Sequence, residues 1–390
     1  MTVRVGVEEE FHVIDRERGS LVACADVLLD ELPGGTFTRE MARSIIETNS
    51  EVHASLGGLH DDLLRTRRRL DEAAARHGLA VLGAGTAPLG QVEAVDVTPE
   101  PRYRNMADAY RRVADEQLIC GAQVHVDVPD RDTAVRVLCA LGPWLPPLLA
   151  LSASSPFWLG SDTGYASWRT MLWQRWPTAG PAGCFDGAAE YDEAVADLIR
   201  SGVISDAGMI YYDVRPSAHQ QTLELRICDA CPRPETVVMI AGLFRALVTD
   251  ACARTAPPGR RECDGRHEWL RAATWRAARS GLEGDLVDPE TRRPAPAPRV
   301  METLLRRLRP ALEEHGDWEL VRELVARAVA TGSAARRLRA AATQDDLLAA
   351  VDLLAAETRG EEPTRASASA RAARVLPSDA VRPIRVKSTE

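Results

Sequence analysis

Residues 1 to 14 alternate between two chemistries, with Val3, Val5 and Val7 on one parity and Glu8, Glu10 and His12 on the other. Successive side chains of a strand point to opposite faces, so this segment predicts a strand with one apolar and one acidic face. The design recurs three times. Residues 43–53 put Ile45, Glu47, Asn49, Glu51 and His53 on one side, and residues 122–128 set Val124, Val126 and Val128 against Gln123, His125 and Asp127. Residues 221–229, the second arm of an expected hairpin with 209–214, oppose Leu223, Leu225 and Ile227 to Glu224 and Arg226. A wet face is normally dressed with Thr, Ser, Lys and Gln, whereas these positions collect carboxylates. Curling such a sheet gathers like charges in one concavity, which is costly unless divalent cations neutralise them. Oxygen donors with a single imidazole suit Mg²⁺ or Mn²⁺ better than a thiolate-seeking metal. Arg226, on the same face as Glu224, adds a guanidinium that can grip phosphate or carboxylate with two parallel bonds.

Composition narrows the chemistry further. Of 48 basic residues in 390, only Lys387 is a lysine. A lysine phosphate loop or a Schiff base is therefore excluded from the body of the chain, and any phosphate must be held by arginine or metal. The segment Gly83-Ala-Gly-Thr-Ala-Pro-Leu-Gly90 has the spacing of no nucleotide fingerprint and reads as a strand-to-loop turn. A net charge of −9 argues against nucleic acid as a partner. Acids stand where a leader would have its apolar core, and no apolar run reaches the ~18 residues that cross a bilayer, so a cytoplasmic chain away from membranes is expected. The nearest run, 138–153, is interrupted by Pro143, Pro146 and Pro147. Eight scattered cysteines read as reduced thiols, not a disulfide framework, and the lone pair Cys228 and Cys231 lacks the second pair of a structural zinc site.

Helices are expected at 59–77, with a solvated arginine face, at 105–119, from 131, capped by Asp130, to 141, from Pro143 onward, and at 188–201. Residues 152–187, rich in Trp, Gly, Ser and Pro, read as long functional loops. The chain is sheet-rich over 1–230 and mostly helical over 234–358, with helices near 234–253, 267–279, 298–314, 317–331 and 343–357 and loops at 257–265 and 288–298. Residues 359–390 read as a disordered tail beyond a single catalytic domain of 1–358.

Five ordered stretches carry a resemblance: Val5-Gly-Val-Glu-Glu-Glu-Phe11, Glu47-Thr-Asn-Ser-Glu-Val-His53, Cys120-Gly-Ala-Gln-Val-His-Val-Asp127, Asp162-Thr-Gly-Tyr-Ala-Ser-Trp-Arg169 and Thr222-Leu-Glu-Leu-Arg-Ile-Cys-Asp229. Together with Trp275-Arg-Ala-Ala-Arg279 and Gly332-Ser-Ala-Ala-Arg336, they resemble the type 2 glutamate–cysteine ligases, also called YbdK-type carboxylate–amine ligases. The resemblance implies an α+β, glutamine-synthetase-like fold, a curved antiparallel sheet forming a funnel with helices on its outer face. It also implies ATP-dependent amide formation through an acyl phosphate, joining glutamate to cysteine or a related amine. Matched residue by residue, Glu8, Glu10, Glu47, His125 and Glu224 would be the metal ligands, with Glu40 a further acid on that side. Arg226 would face the transferred phosphoryl group, Glu224 and Arg169 would join it in catalysis, and Tyr165 and Arg169 would contact substrate carboxylate or phosphate. Arg276 and Arg336 are helical-side candidates. Glu9 has the wrong parity for direct metal contact, and Glu51 and His53, toward a strand end, are open between ligand and solvated roles. Outer helices often pair subunits, so a homodimer is expected. Two other readings stay open, a metal-dependent amide hydrolase and a non-catalytic metabolite-binding relative. Arg226 and the Arg169 loop separate the first, since simple hydrolysis needs neither; the second would have lost one of the site residues.

Overall fold

The structure is a computed structural model that describes residues 2–92, 96–255, 267–342 and 346–361. Seven strands form the main sheet: β1 Val5–Asp15, β2 Phe37–Arg39, β3 Ile45–Asn49, β4 Leu79–Leu82, β5 Ala122–Asp127, β6 Val214–Pro216 and β7 Thr222–Leu225. Their order is β2-β3-β1-β5-β7-β6, antiparallel at every pair, with β4 on the C-terminal part of β1. The expected α+β architecture is present.

The alternation read from the sequence decides the two faces. Val5, Val7, Val124, Val126, Leu223 and Leu225 are all fully buried in one core cluster, beneath the helices Leu56–Arg76 and Pro234–Arg254. Each such side chain contributes about 1.5–3 kcal/mol of burial. The helix Pro234–Arg254 is apolar over most of its surface, and most of that surface is covered. At its middle, a Cβ on Gly242 would lie 2.6 Å from Val321 Cγ2 and 2.7 Å from Leu56 Cδ1, so any larger residue would have to push those methyl groups aside. Ser55 caps the helix Leu56–Arg76, and Asp130 caps Arg131–Leu141 through Thr133 N at 2.7 Å.

Several expectations change. The prolines at 143, 146 and 147 do not interrupt the chain's longest apolar stretch, because Pro is tolerated in the first turn of a helix and the segment Arg131–Ser152 passes through a short 3₁₀ turn. This segment and Pro234–Arg254 are long and apolar enough to cross a membrane, but 72% of each apolar window is buried inside the protein, as in core helices. Cys139 and Cys184 are joined by a disulfide, so the reading of all cysteines as free thiols fails at that pair; 45 residues of chain separate them, and only the fold brings their Cα atoms to 5.3 Å. The helix expected from residue 105 starts at Pro101. A helix at Ala334–Ala341 was not expected, and the one after it begins at Leu348. The loop expected at 257–265, Cys263, Lys387 and residues 362–390 of the expected tail lie outside the described residues.

Candidate active site

The strand register assembles the polar face row by row. Arg215, Glu224, His125 and Gly6 stand opposite one another across β6, β7, β5 and β1. Glu8 pairs with Gln123 on one side and Asn49 on the other. Glu10 pairs with Glu47, which pairs with Thr38. Directly opposed and diagonal residues on one face of a sheet lie within contact of each other, so the register, with Glu40 added from just beyond β2, converts separate strand patterns into two acid clusters. In the first, ligand atoms of Glu8, His125 and Glu224 lie within 4.8 Å of one another; in the second, those of Glu10, Glu40 and Glu47 do.

Each donor is held by neighbours. His125 Nδ1 is hydrogen bonded to Thr222 Oγ1 at 3.0 Å. Its Nε2 stands 3.1 Å from Glu8 Oε1 but makes no aligned hydrogen bond, so with the proton on Nδ1 its lone pair faces the carboxylates. Glu10 accepts from Gly121 N at 2.6 Å and Gln123 Nε2 at 2.7 Å, and Glu47 accepts from Thr38 Oγ1 at 3.0 Å. Burial, then the charge of Glu10, pushes Glu40 up to about 7, against the pull of Arg226. Glu47 is driven well above the usual carboxylate range by burial and by Glu40, Glu8 and Glu10. Such mutual repulsion in a half-buried oxygen-donor set fits a divalent cation, which would remove the conflict.

Glu224 is different. Burial alone would raise it, yet Arg226 and Arg215 outweigh burial and hold it down to about 2. Arg215 reaches it with Nε to Oε2 at 2.7 Å and Nη2 to Oε1 at 3.2 Å, while Arg226 Nη1 donates to Oε1. The Arg226 guanidinium lies over the rings of Trp173 and Tyr211, at 5.7 and 6.0 Å. Arg169, 3% exposed, donates to the carbonyls of Arg226 and Ile227 at 3.3 Å and lies 5.6 Å from the Trp173 centroid. The buried Nε atoms of Arg169 and Arg226 have no hydrogen-bond partner among the described residues. Both guanidiniums line a cavity of about 240 Å³ together with Glu8, Glu10, Glu40, Glu47, Gln123, Trp173, Tyr211 and Arg215.

Of the residues singled out in the sequence, Glu8, Glu10, Glu40, Glu47, His125, Glu224, Arg226 and Arg169 come together here. Tyr165 lies outside the cavity, its hydroxyl bonded to Trp275 Nε1 at 3.2 Å and its ring packed on Trp168, and Arg276 and Arg336 do not line it either. Glu51 is exposed, and His53 Nε2 bonds Asp62 Oδ2 at 2.9 Å. Glu9 points to the opposite face and forms a fully buried pair with Arg67. Sequence reasoning missed Arg215, because the hairpin arm expected at 209–214 is in fact Val214–Pro216; the signal was present as an arginine opposite Glu224 once the hairpin is placed correctly. Gly83 and Gly85 of the glycine-rich turn serve close packing: a Cβ on Gly83 would meet Cys231 O at 2.9 Å, and one on Gly85 the Asp229 carboxyl at 2.7 Å.

The fold and site define a class of α+β protein whose antiparallel sheet sets carboxylates and guanidiniums around one cavity, with an imidazole grouped beside the lining residue Glu8. Within that class, the chain belongs to the glutamate–cysteine ligase family 2, whose model matches residues 4–362. Relatives include a candidate glutamate–cysteine ligase 2-2 of Frankia casuarinae, 55% identical over 94% of this chain and 43% of its own length. Another, of the same name in Mycolicibacterium smegmatis, is 48% identical over 91% of this chain and 89% of its own. The chain thus spans under half the length of the Frankia protein and most of the mycobacterial one. In fold it is similar to the glutamate–cysteine ligase of Francisella tularensis solved in complex with AMP, with TM-score 0.70 and 13% identity, covering 95% of this chain and 91% of that one. A bifunctional glutathione synthetase from Pasteurella multocida gives TM-score 0.66 and 17% identity, over 92% of this chain and 52% of that one.

Proposed function

We propose that the chain is an ATP-dependent carboxylate–amine ligase that forms an amide through an acyl phosphate, with glutamate and cysteine, or a related amine, as substrates. The observation that carries this reading is a cavity lined by Glu8, the trio Glu10, Glu40 and Glu47, and Arg226, Arg215 and Arg169, with His125 and Glu224 grouped beside Glu8. Its relatives' names support the choice of substrates.

In the first half-reaction a carboxylate oxygen attacks the γ-phosphorus of ATP, giving acyl phosphate and ADP; in the second, the amine attacks the acyl carbon and expels phosphate. Glu8, His125 and Glu224 would hold one Mg²⁺ or Mn²⁺, and Glu10, Glu40 and Glu47 another. Bound there, such cations would neutralise phosphate charge and orient the phosphates for in-line transfer. Arg226, kept charged by Glu224 despite its burial, stabilises charge developing on the transferred group from a fixed, water-poor position. Arg215 holds the far side of Glu224, so that Arg226 and the carboxylate keep one geometry. Arg169, with its unpartnered Nε, holds a substrate carboxylate or phosphate. No lysine is needed, in keeping with its absence from the described residues.

The test is ADP release with Mg²⁺, glutamate and a panel of amines. Release that depends on both carboxylate and amine supports the ligase; amide cleavage without ATP sinks it in favour of hydrolysis.

A further inference from the structure

Asp229 is a fully buried carboxylate that the chemistry above does not use. It lies three residues beyond Arg226, where the segment leaving β7 pairs with Gly121. Its Oδ2 accepts from Ser154 N at 3.0 Å and Ser155 Oγ at 2.7 Å, and its Oδ1 accepts from Ser167 Oγ at 2.7 Å. Those hydroxyls are in turn committed to the helix Trp168–Trp173: Ser155 Oγ accepts from Arg169 N at 3.1 Å, and Ser167 Oγ caps the helix at Thr170 N. That helix delivers Arg169 and Trp173 to the cavity.

We propose that Asp229 is a positioning residue that, through Ser155 and Ser167, locks the start of the helix Trp168–Trp173 to the strand end bearing Glu224 and Arg226, and so fixes the Arg169 guanidinium beside Arg226. The proposal rests on the reading of Arg169 as an anion-holding residue. Arg169 is pinned at both ends, its main-chain N–H by Ser155 and its guanidinium by the carbonyls of Arg226 and Ile227. The surroundings leave no slack. A Cβ on Gly121 would stand 2.5 Å from Arg169 Nη2, and one on Gly85 2.7 Å from the Asp229 carboxyl, so both ends of the relay are built against bare backbone. A group placed this tightly loses catalytic effect when displaced by about 1 Å, on the order of a hundredfold.

The experiment uses Ser155→Ala, Asp229→Asn and Asp229→Ala, each alone and combined with Arg169→Ala. Readouts are kcat and KM for glutamate-dependent ADP release, with residual turnover followed by mass spectrometry, and Mn²⁺ affinity by electron paramagnetic resonance. Ser155→Ala and Asp229→Ala are expected to lower kcat/KM for the carboxylate substrate about 10- to 100-fold, with Mn²⁺ affinity unmoved, and to add almost nothing once Arg169 is alanine. Asp229→Asn, which keeps an acceptor for Ser154 and Ser155, should fall between Asp229→Ala and wild type. Should Asp229→Ala fail to fold, Ser155→Ala removes one hydroxyl only and carries the test, and a crystal structure of it should show the Arg169 guanidinium off the carbonyls of Arg226 and Ile227. Losses that multiply with that of Arg169→Ala, or a slowed Ser155→Ala with Arg169 in place, overturn the relay while leaving the ligase reading intact. Wild-type turnover in Arg169→Ala overturns the role of Arg169 itself, and the relay with it.

Discussion

Replacing Arg67 by Met should unfold this protein far more readily while sparing its chemistry. Arg67 is 1% exposed, and all its donor groups are used. Nε and Nη2 grip Glu9 at 3.2 and 2.5 Å, Nη2 also reaches Cys231 O at 2.8 Å, and Nη1 reaches Pro232 O at 2.6 Å and Thr358 O at 3.4 Å. Glu9 is 2% exposed and pairs with no other cation among the described residues. Removing one partner of a buried pair costs about 3–5 kcal/mol because the other charge is left uncompensated. Each stranded carbonyl adds about 1 kcal/mol or more. Arg67→Met should therefore lose at least ~4 kcal/mol, a large share of the ~5–15 kcal/mol that folded chains possess. Glu9→Gln, which strands the guanidinium but leaves its carbonyl partners, should lose about 3 kcal/mol. The double variant should lose less than the sum, by about 2 kcal/mol, since neither charge is then orphaned. Urea unfolding followed by tryptophan fluorescence and circular dichroism measures this, and the two probes must coincide. Because Glu9 faces away from Glu8 and Glu10, Mn²⁺ affinity and kcat of the folded fraction should stay at wild-type values. Single variants costing under ~1 kcal/mol, or a Glu9→Gln protein with weakened metal binding, would refute the reasoning.

Other outcomes follow from the site. Glu224→Gln and Arg226→Ala should each abolish turnover with the fold intact by circular dichroism; near-wild-type rates in either would discredit the assignment. Arg215→Gln removes a charge-assisted pair worth about 1.5–3 kcal/mol, so kcat/KM should fall roughly 10- to 150-fold, and an unchanged value would show that Arg226 suffices. Glu40 ordinarily titrates near 4.5 but near 7 in the folded chain. The fold therefore holds that proton more tightly than the unfolded chain does, and the resulting stability, full below about pH 4.5, is lost as pH rises through 7. With a chelator the melting temperature should drop across that window, and Mg²⁺ or Mn²⁺ should restore it above pH 7; identical profiles with and without metal would count against cation binding by the acid trio.

What could be read in advance was whatever obeys the two-residue period. Val5, Val7, Glu8 and Glu10 sort themselves by parity, and that parity is imposed by covalent geometry before any partner strand arrives. Register came less easily: that Glu10 stands beside Glu47, or Arg215 beside Glu224, depends on turn lengths that the residue pattern does not encode. The arginines were hardest. Arg65, Arg67, Arg68 and Arg69 look alike on a helix expected to present them to water, yet Arg67 alone of the four is swallowed, because Glu9, two loop carbonyls and the helix Leu348–Thr358 converge on it from distant parts of the chain. Tyr165 failed for the converse reason, sharing a motif with Arg169 while its hydroxyl is bonded to Trp275 outside the cavity.

That convergence on Arg67 sets a schedule for biosynthesis. Its last partner, Thr358, follows it by 291 residues, and the same threonine takes a hydrogen bond from Gly83 N while its neighbour Glu357 receives Arg233 and Arg337. At about 5–20 residues per second, a ribosome needs about 15–60 s to travel from one to the other. For that interval the first strand and helix emerge with a charged pair whose lid has not been made. The Glu9 and Arg67 pair therefore completes its set of hydrogen bonds only once the helix Leu348–Thr358 has been made.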